Sequence, residues 1–402
     1  MILRIGIGIG AIALGSMAIW FFFFRSTPTE QPTDTGAGFA TSPSQSVEVT
    51  PPTQNNGTQT PNTTQTVQQK VFRVVNGPVV SATVVQTLQP TTTIARYVQQ
   101  NNGHVFDLML DSSGAVPKAI SNTTIPGVAR ALWAQGGGAV ILQYLDGNIT
   151  KTVSLTFPPQ NATTTQPVAI KFLPDGIRDI AVSPSGTRVV YLLRTANGVD
   201  GYTAATNGTG SAKLFSLPLS EILISWPSTN TLLAYTKSTL GTPGVAFSIS
   251  ASAGAVVPLL YAPGLTLTAD PTYSYLVYQT GDSAGPSTYV RNSTDGTSAG
   301  LSFDPYPEKC IWASAITLYC AAPLTYTVAN YLDLWHAGTA TEAEALYAFT
   351  FPGGQSSIVA VPGGEEGGVG STIDTLSVSP DQKYLLFVRR GDRSLWGVRL
   401  GQ

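Results

Sequence analysis

Four segments of this chain repeat one pattern of strand, proline-containing turn and apolar strand: Ala181-Val-Ser-Pro-Ser-Gly-Thr-Arg-Val-Val-Tyr, Ser225-Trp-Pro-Ser-Thr-Asn-Thr-Leu-Leu-Ala-Tyr, Thr268-Ala-Asp-Pro-Thr-Tyr-Ser-Tyr-Leu-Val-Tyr and Ser377-Val-Ser-Pro-Asp-Gln-Lys-Tyr-Leu-Leu-Phe. Their prolines stand at 184, 227, 271 and 380, so the first two steps are 43 and 44 residues, and the third leaves room for one more copy with an insertion. A period of about 40–45 residues is the length of one propeller blade. Within each copy the chemistry is structural. Proline presets φ for the second residue of a turn, and Ser, Asp or Gly beside it completes the reversal. The Val-Val-Tyr or Leu-Leu-Phe that follows is apolar on both strand faces, as a strand packed between two neighbouring sheets must be.

Around these copies, from Val71 onward, short β-branched and aromatic runs alternate with Gly, Pro, Asn, Asp and Ser clusters roughly every 8–12 residues, and no long amphipathic helix interrupts them. That pattern fits a sandwich, a barrel or a propeller, and the repeat selects the propeller. The stretch 310–320, bounded by Cys310 and Cys320, fills the gap as a degenerate copy, and 79–110 and 129–145 read as two earlier blades, giving seven. The last blade has only three strands, at 373–379, 383–390 and 394–400. Val71–Val75 is the expected fourth, closing the ring and removing its open edges. The expected fold class is therefore all-β, a seven-bladed β-propeller over 70–402.

The Ser-Pro-Ser-Gly at 183–186 and the Ser-Pro-Asp at 379–381 resemble the WD-like β-propeller repeats of the TolB type, over roughly residues 71–402. The resemblance implies a propeller of a kind found in bacterial envelope proteins and beside peptidase domains, and a shared fold implies no activity. The middle blades depart from the pattern, with Asn230-Thr231 or Tyr273-Ser274 where Asp-Gly is usual, and no hydrolase domain is attached.

Ahead of the repeats, residues 5–24 are twenty apolar or small residues with a single Ser, enough at helical rise to span a hydrocarbon core about 30 Å thick. A cleaved signal has a shorter apolar region and a small-residue cleavage site, whereas this run ends in Trp20, four Phe and Arg25. Residues 1–25 are thus expected to be a transmembrane anchor. Arg4 lies before the span and Arg25 is the only base for a long way after it, which favours a cytoplasmic N-terminus and a periplasmic or extracellular propeller. Residues 26–69 are Thr, Pro, Gln, Ser, Asn and Gly, a composition that buries too little apolar surface to offset ordering and reads as a disordered linker.

Composition narrows the function. With 11% charged residues, a net charge of -2 and no Lys/Arg cluster, the chain offers no footprint for nucleic acid. Two His and two Cys cannot build a Cys/His metal site, and neither a metal nor a cofactor is expected. Glu365-Glu366 on its glycine tether is a poor match to a preorganised Ca²⁺ site. No Gly-x-Ser-x-Gly elbow accompanies the isolated His104 and His336, so no nucleophile, base and orienter are seen to converge.

The one large insertion, 324–342, falls between the second and third strands of blade six, at the end of the ring where the connections between blades lie. Its Tyr326, Tyr331, Trp335 and His336 are candidate binding residues, since aromatics supply large amphipathic contact area. The competing arrangement is a cap folded onto its own blade with Tyr331, Leu332 and Trp335 buried. Cys310 and Cys320 would face each other across a hairpin, either bridged, as export permits, or as two buried thiols. Asp175, Asp179, Asp270, Asp304 and Asp374 stand at blade entrances. Ordinary turn chemistry accounts for them, and a hydrolase or lyase acting on polysaccharide or peptide through channel carboxylates is the alternative. The leading expectation is a membrane-anchored binding or scaffolding module of the cell envelope with a protein, peptide or glycan partner.

Overall fold

The computed structural model describes residues 70–401 except 89–90, 113, 160–166, 283–284, 326–329, 363–369 and 371. The expected anchor at 5–24, the linker at 26–69, Tyr326 and Glu365-Glu366 lie outside the described residues. Among the described residues no helix is long and apolar enough to cross a membrane.

The chain from 70 onward is a seven-bladed β-propeller of seven four-stranded antiparallel sheets. Blades one to six are consecutive, at 79–121, 128–172, 177–217, 222–263, 266–300 and 310–360. Blade seven joins both ends of the ring. Its three inner strands come from 373–399, and Val71–Val75 adds the outermost one, with Val71 opposite Val398 and Phe72 opposite Gly397.

Antiparallel order sorts the loops onto two ends. Hairpins between first and second strands, and between third and fourth, lie at one end, here the turn end. Those between second and third strands share the other, connection end with the links between blades. Pro184, Pro271 and Pro380 sit in first-to-second turns, as their sequence context demands. Pro227 differs, because it falls inside the strand Ile222–Ser228, where the register shifts between Ser225 and Ser228. A residue without an N–H fits a strand at such an irregularity, where a ladder bond is already missing. At the connection end of blade one, Gly103 has φ +70°, and a Cβ there would stand 2.8 Å from the Ile125 carbonyl oxygen, so the hairpin before His104 requires glycine.

No single core fills the described residues. Seven apolar clusters each join two neighbouring blades, completing a circuit from blades one and two through blades seven and one. This is why second strands such as Thr231–Thr236 and Tyr384–Arg389 are buried on successive residues rather than alternate ones. Val71, 2% exposed, belongs to the cluster between blades six and seven.

Val71→Asp places an unpaired carboxylate in that cluster, so we expect a loss of about 3 kcal/mol or more in urea unfolding. Val257→Asp, on the exposed outer strand of blade four, should change stability by about 0.5 kcal/mol or less.

Candidate functional site

The insertion in blade six separates its second strand, Thr317–Pro323, from its third, Glu344–Thr350, and carries the one α-helix among the described residues, α1 (Tyr331–Ala337). Gly338 ends the helix in the left-handed region at φ 76°, its N–H turned back to the Leu334 and Trp335 carbonyls. Seven residues make a helix too short to persist alone, so its contacts hold it. Tyr331 and Leu332 are buried with Tyr306 and Ala340, and the Tyr306 and Tyr331 rings lie 5.0 Å apart.

Below this cap lies a charged floor. The Glu344 carboxylate accepts hydrogen bonds from the Tyr331 hydroxyl, from the Ile373 N–H of blade seven at 2.7 Å, and from Lys309 Nζ at 2.9 Å. Lys309 also donates to the Ile373 carbonyl at 2.7 Å. The Lys309 and Glu344 side chains are 1% and 0% exposed, and burial lowers the Lys309 pKa to about 8 although Glu344 opposes the shift. The Trp335 ring sits over this ammonium, with Nζ 3.6 Å from its centroid, and Arg390 Cζ is 4.0 Å from the same centroid. His336 Nε2 is 3.0 Å from Glu308 Oε2.

Two further contacts carry the cap beyond its own blade. The Leu240 N–H of blade four donates to Asp333 Oδ1 at 3.3 Å, and Thr372 Oγ1, beside blade seven, donates to the carbonyls of Ala340 and Glu342. Of the residues expected to face a partner, Tyr331 and Trp335 pack on the ring and His336 meets Glu308. Tyr331 is wholly buried, and Trp335 and His336 are largely engaged, while Leu324, 48% exposed, and Asn330, Ala337, Thr339 and Thr341 face solvent.

The five aspartates expected near the channel are dispersed and each is engaged. Asp175 pairs with Lys151 on the rim at 2.6 Å. Asp179 accepts from Arg130 of blade two, from its own neighbour Ile180 N–H at 2.9 Å and from Ile224 N–H of blade four at 2.7 Å, so one carboxylate ties three blades. Asp270 closes its own turn on the N–H groups of Thr272 and Tyr275. Asp304 accepts from the Thr288 N–H at 2.6 Å, and burial raises its pKa. Asp374 is held by Arg390 and Arg393; burial pushes its carboxyl up, but the two guanidiniums outweigh burial and leave it below its ordinary value. Among the described residues no group of three or more His, Cys, Asp or Glu is placed to hold a metal.

Cys310 and Cys320 are directly opposite in the first hairpin of blade six and are disulfide-bonded, with Cα atoms 4.0 Å apart. His104 Nε2 lies 3.2 Å from Thr124 Oγ1 at the rim. A cavity of about 600 Å³ follows the channel beside blades six, seven, one and two, with Glu308, Lys309, Asp374 and Arg130 in its wall. Sequence reasoning missed Glu308, Lys309 and Glu344. The available signal was an acid opening an otherwise apolar strand, Glu344-Ala-Leu-Tyr-Ala-Phe, which demands a buried cation nearby.

Glu344→Gln leaves the Lys309 ammonium buried without its carboxylate, and urea unfolding should show a loss of about 3–5 kcal/mol. Adding Lys309→Met should restore part of it. Asp374 has a folded pKa below its ordinary 3.8, so its contribution is present above that pH and lost as pH falls through the folded value. The stability gap between the natural chain and Asp374→Asn should thus be constant from about pH 5 to 7 and shrink below pH 3.8.

No protein-family model matches the chain, and no curated protein matches it in sequence. Solved structures do. A chain of the mitotic checkpoint complex superposes with a TM-score of 0.51 at 11% identity, covering 83% of this chain and 95% of that one. Oligogalacturonate lyase from Vibrio parahaemolyticus also gives 0.51, at 9% identity, covering 84% of this chain and 95% of that one. TolB from Acinetobacter baumannii gives 0.42 at 8% identity, covering 80% and 63%. At such identities the likeness is one of fold, and the chain is a seven-bladed β-propeller closed by its own N-terminal strand.

Proposed function

We propose that this protein is a non-enzymatic binding propeller, held at a membrane by residues 5–24 and offering the connection end of its ring to a protein partner. The observation that carries the reading is the cap. An insertion pinned to blades four, six and seven gives that end a shaped surface, and its outward residues, Leu324, Ala337, Thr339 and Thr341, carry no charge. A surface already held in place costs less to order on binding than a free loop.

The position of the first strand supports the same arrangement. Val71–Val75 runs toward the connection end and into blade one, so Lys70, whose carbonyl accepts from the Arg399 N–H, stands at the turn end. Lys70 and the cap are thus at opposite ends of the ring. The carboxylates on which a hydrolase or lyase would rely are engaged as blade-to-blade pins and turn closures, which favours binding over chemistry.

Leu324→Asp with Thr339→Arg alters the outward face of the cap and spares its anchors. In crosslinking from solubilised membranes, the natural chain should capture a discrete partner and the double variant should lose it, with unchanged melting. A chain lacking residues 1–25 should leave the membrane fraction. Capture that is equal in both full-length chains removes the cap from the interface, and membrane retention without residues 1–25 removes the anchor.

A further inference from the structure

The contacts beneath the cap are unevenly satisfied. Among the described residues, Glu308 Oε1, His336 Nδ1, Arg390 Nη1 and Arg393 Nε are buried atoms without a hydrogen-bond partner. Across the joint between cap and ring Glu308 meets His336 and Arg390 meets the Trp335 ring, and Arg393 shares Asp374 with Arg390. A buried polar atom left unpaired carries its full desolvation cost, and that cost disappears when water reaches it. The closed joint is therefore held by fewer hydrogen bonds than its polar groups can make. In its favour stand two fully buried apolar side chains, Tyr331 and Leu332, and a few hydrogen bonds. The floor that opening would uncover is mixed, with the Tyr306 ring beside the charged Glu308, Lys309, Glu344 and Arg390, and water solvates the charged part readily.

Glu308, Lys309 and Asp374 also stand in the wall of the channel cavity. Two of them, Glu308 and Lys309, are held by the cap through His336 and Trp335. None of the seven interblade clusters includes a residue of α1, so lifting the cap breaks no blade-to-blade packing.

We propose that the cap is a lid over this floor: α1 and residues 338–343 lift as one local unit, uncovering Tyr306 and the charged residues beside it while all seven blades stay folded. Segments held by few apolar contacts are the ones that open below the global unfolding free energy, and lids of this kind control access to a site. The device goes beyond the binding role proposed above. A partner seated on the closed cap would hold it shut, and a ligand that binds the floor would select the open form.

Native-state hydrogen exchange on the full chain, followed by peptide mass spectrometry across a series of low urea concentrations, tests the lid. Amides of α1 should exchange at least about 100-fold faster, relative to their intrinsic rates, than those of the adjoining strand Glu344–Thr350, with almost no dependence on urea. Tyr331→Phe, which removes the hydroxyl bonded to Glu344, should speed cap exchange about tenfold, leaving exchange in the outer blades unchanged. Cap amides that exchange with the same protection and urea dependence as Glu344–Thr350 would overturn the proposal, because the cap would then open only when the ring unfolds. So would a Tyr331→Phe effect shared by every blade. Neither result bears on whether the closed cap binds a partner.

Discussion

Each blade of this protein is apolar on both faces, and that condition governs the rest of the structure. A four-stranded sheet with two greasy faces is insoluble alone and needs a neighbour on each side. A row of such sheets always leaves two faces uncovered, and a ring leaves none. The seven clusters between blades are the form that hydrophobic stabilisation takes here, so breaking any one exposes surface on two blades at once. Closing the ring then becomes the decisive contact, and the chain makes it by pairing Val71–Val75 with Leu395–Arg399, residues from its opposite ends.

The need for two apolar faces also decided what could be read in the sequence. Val189-Val-Tyr, Leu232-Leu-Ala-Tyr and Leu385-Leu-Phe are continuous apolar runs because second strands are covered on both sides, and the prolines before them mark where first strands turn back. Both signals are local, so the blade count and the missing fourth strand could be inferred from spacing. Pro227 shows the limit of that reasoning. A proline at the expected position can end a strand at a register shift as well as start a turn, and only the pairing partner distinguishes the two.

The polar residues near the channel were harder to interpret, for a physical reason. An acid near the start of an inner strand can hold the first N–H groups of the next blade or aim at a ligand, and its sequence context is the same in both cases. Asp179 on Ile224 and Glu344 on Ile373 do the former. Each carboxylate satisfies a backbone donor that the ladder of its own sheet cannot reach, which fixes the offset between adjacent blades where the apolar contacts alone would let them slide. Their cations lie well away along the chain, Arg130 on the first strand of blade two and Lys309 in the 3-10 turn Pro307–Lys309 before blade six, so no spacing rule connects them.

The cap obeys a different rule from the blades, and the difference explains why its aromatic residues fitted two readings in the sequence, recognition and anchoring. Tyr331 and Trp335 have the composition of a recognition loop, yet a seven-residue helix cannot hold its shape without tertiary support. Its largest side chains are consumed in supplying that support, Tyr331 against Tyr306 and Trp335 over Lys309. What remains for a partner is the small, uncharged outer face. An insertion on a propeller rim must divide its residues between anchoring and recognition, and the shorter it is, the larger the share that anchoring takes. The cap's anchors, Tyr331 on Tyr306, Trp335 between Lys309 and Arg390, and His336 on Glu308, lie outside the seven clusters that join the blades, so the cap and the ring are held by separate sets of contacts.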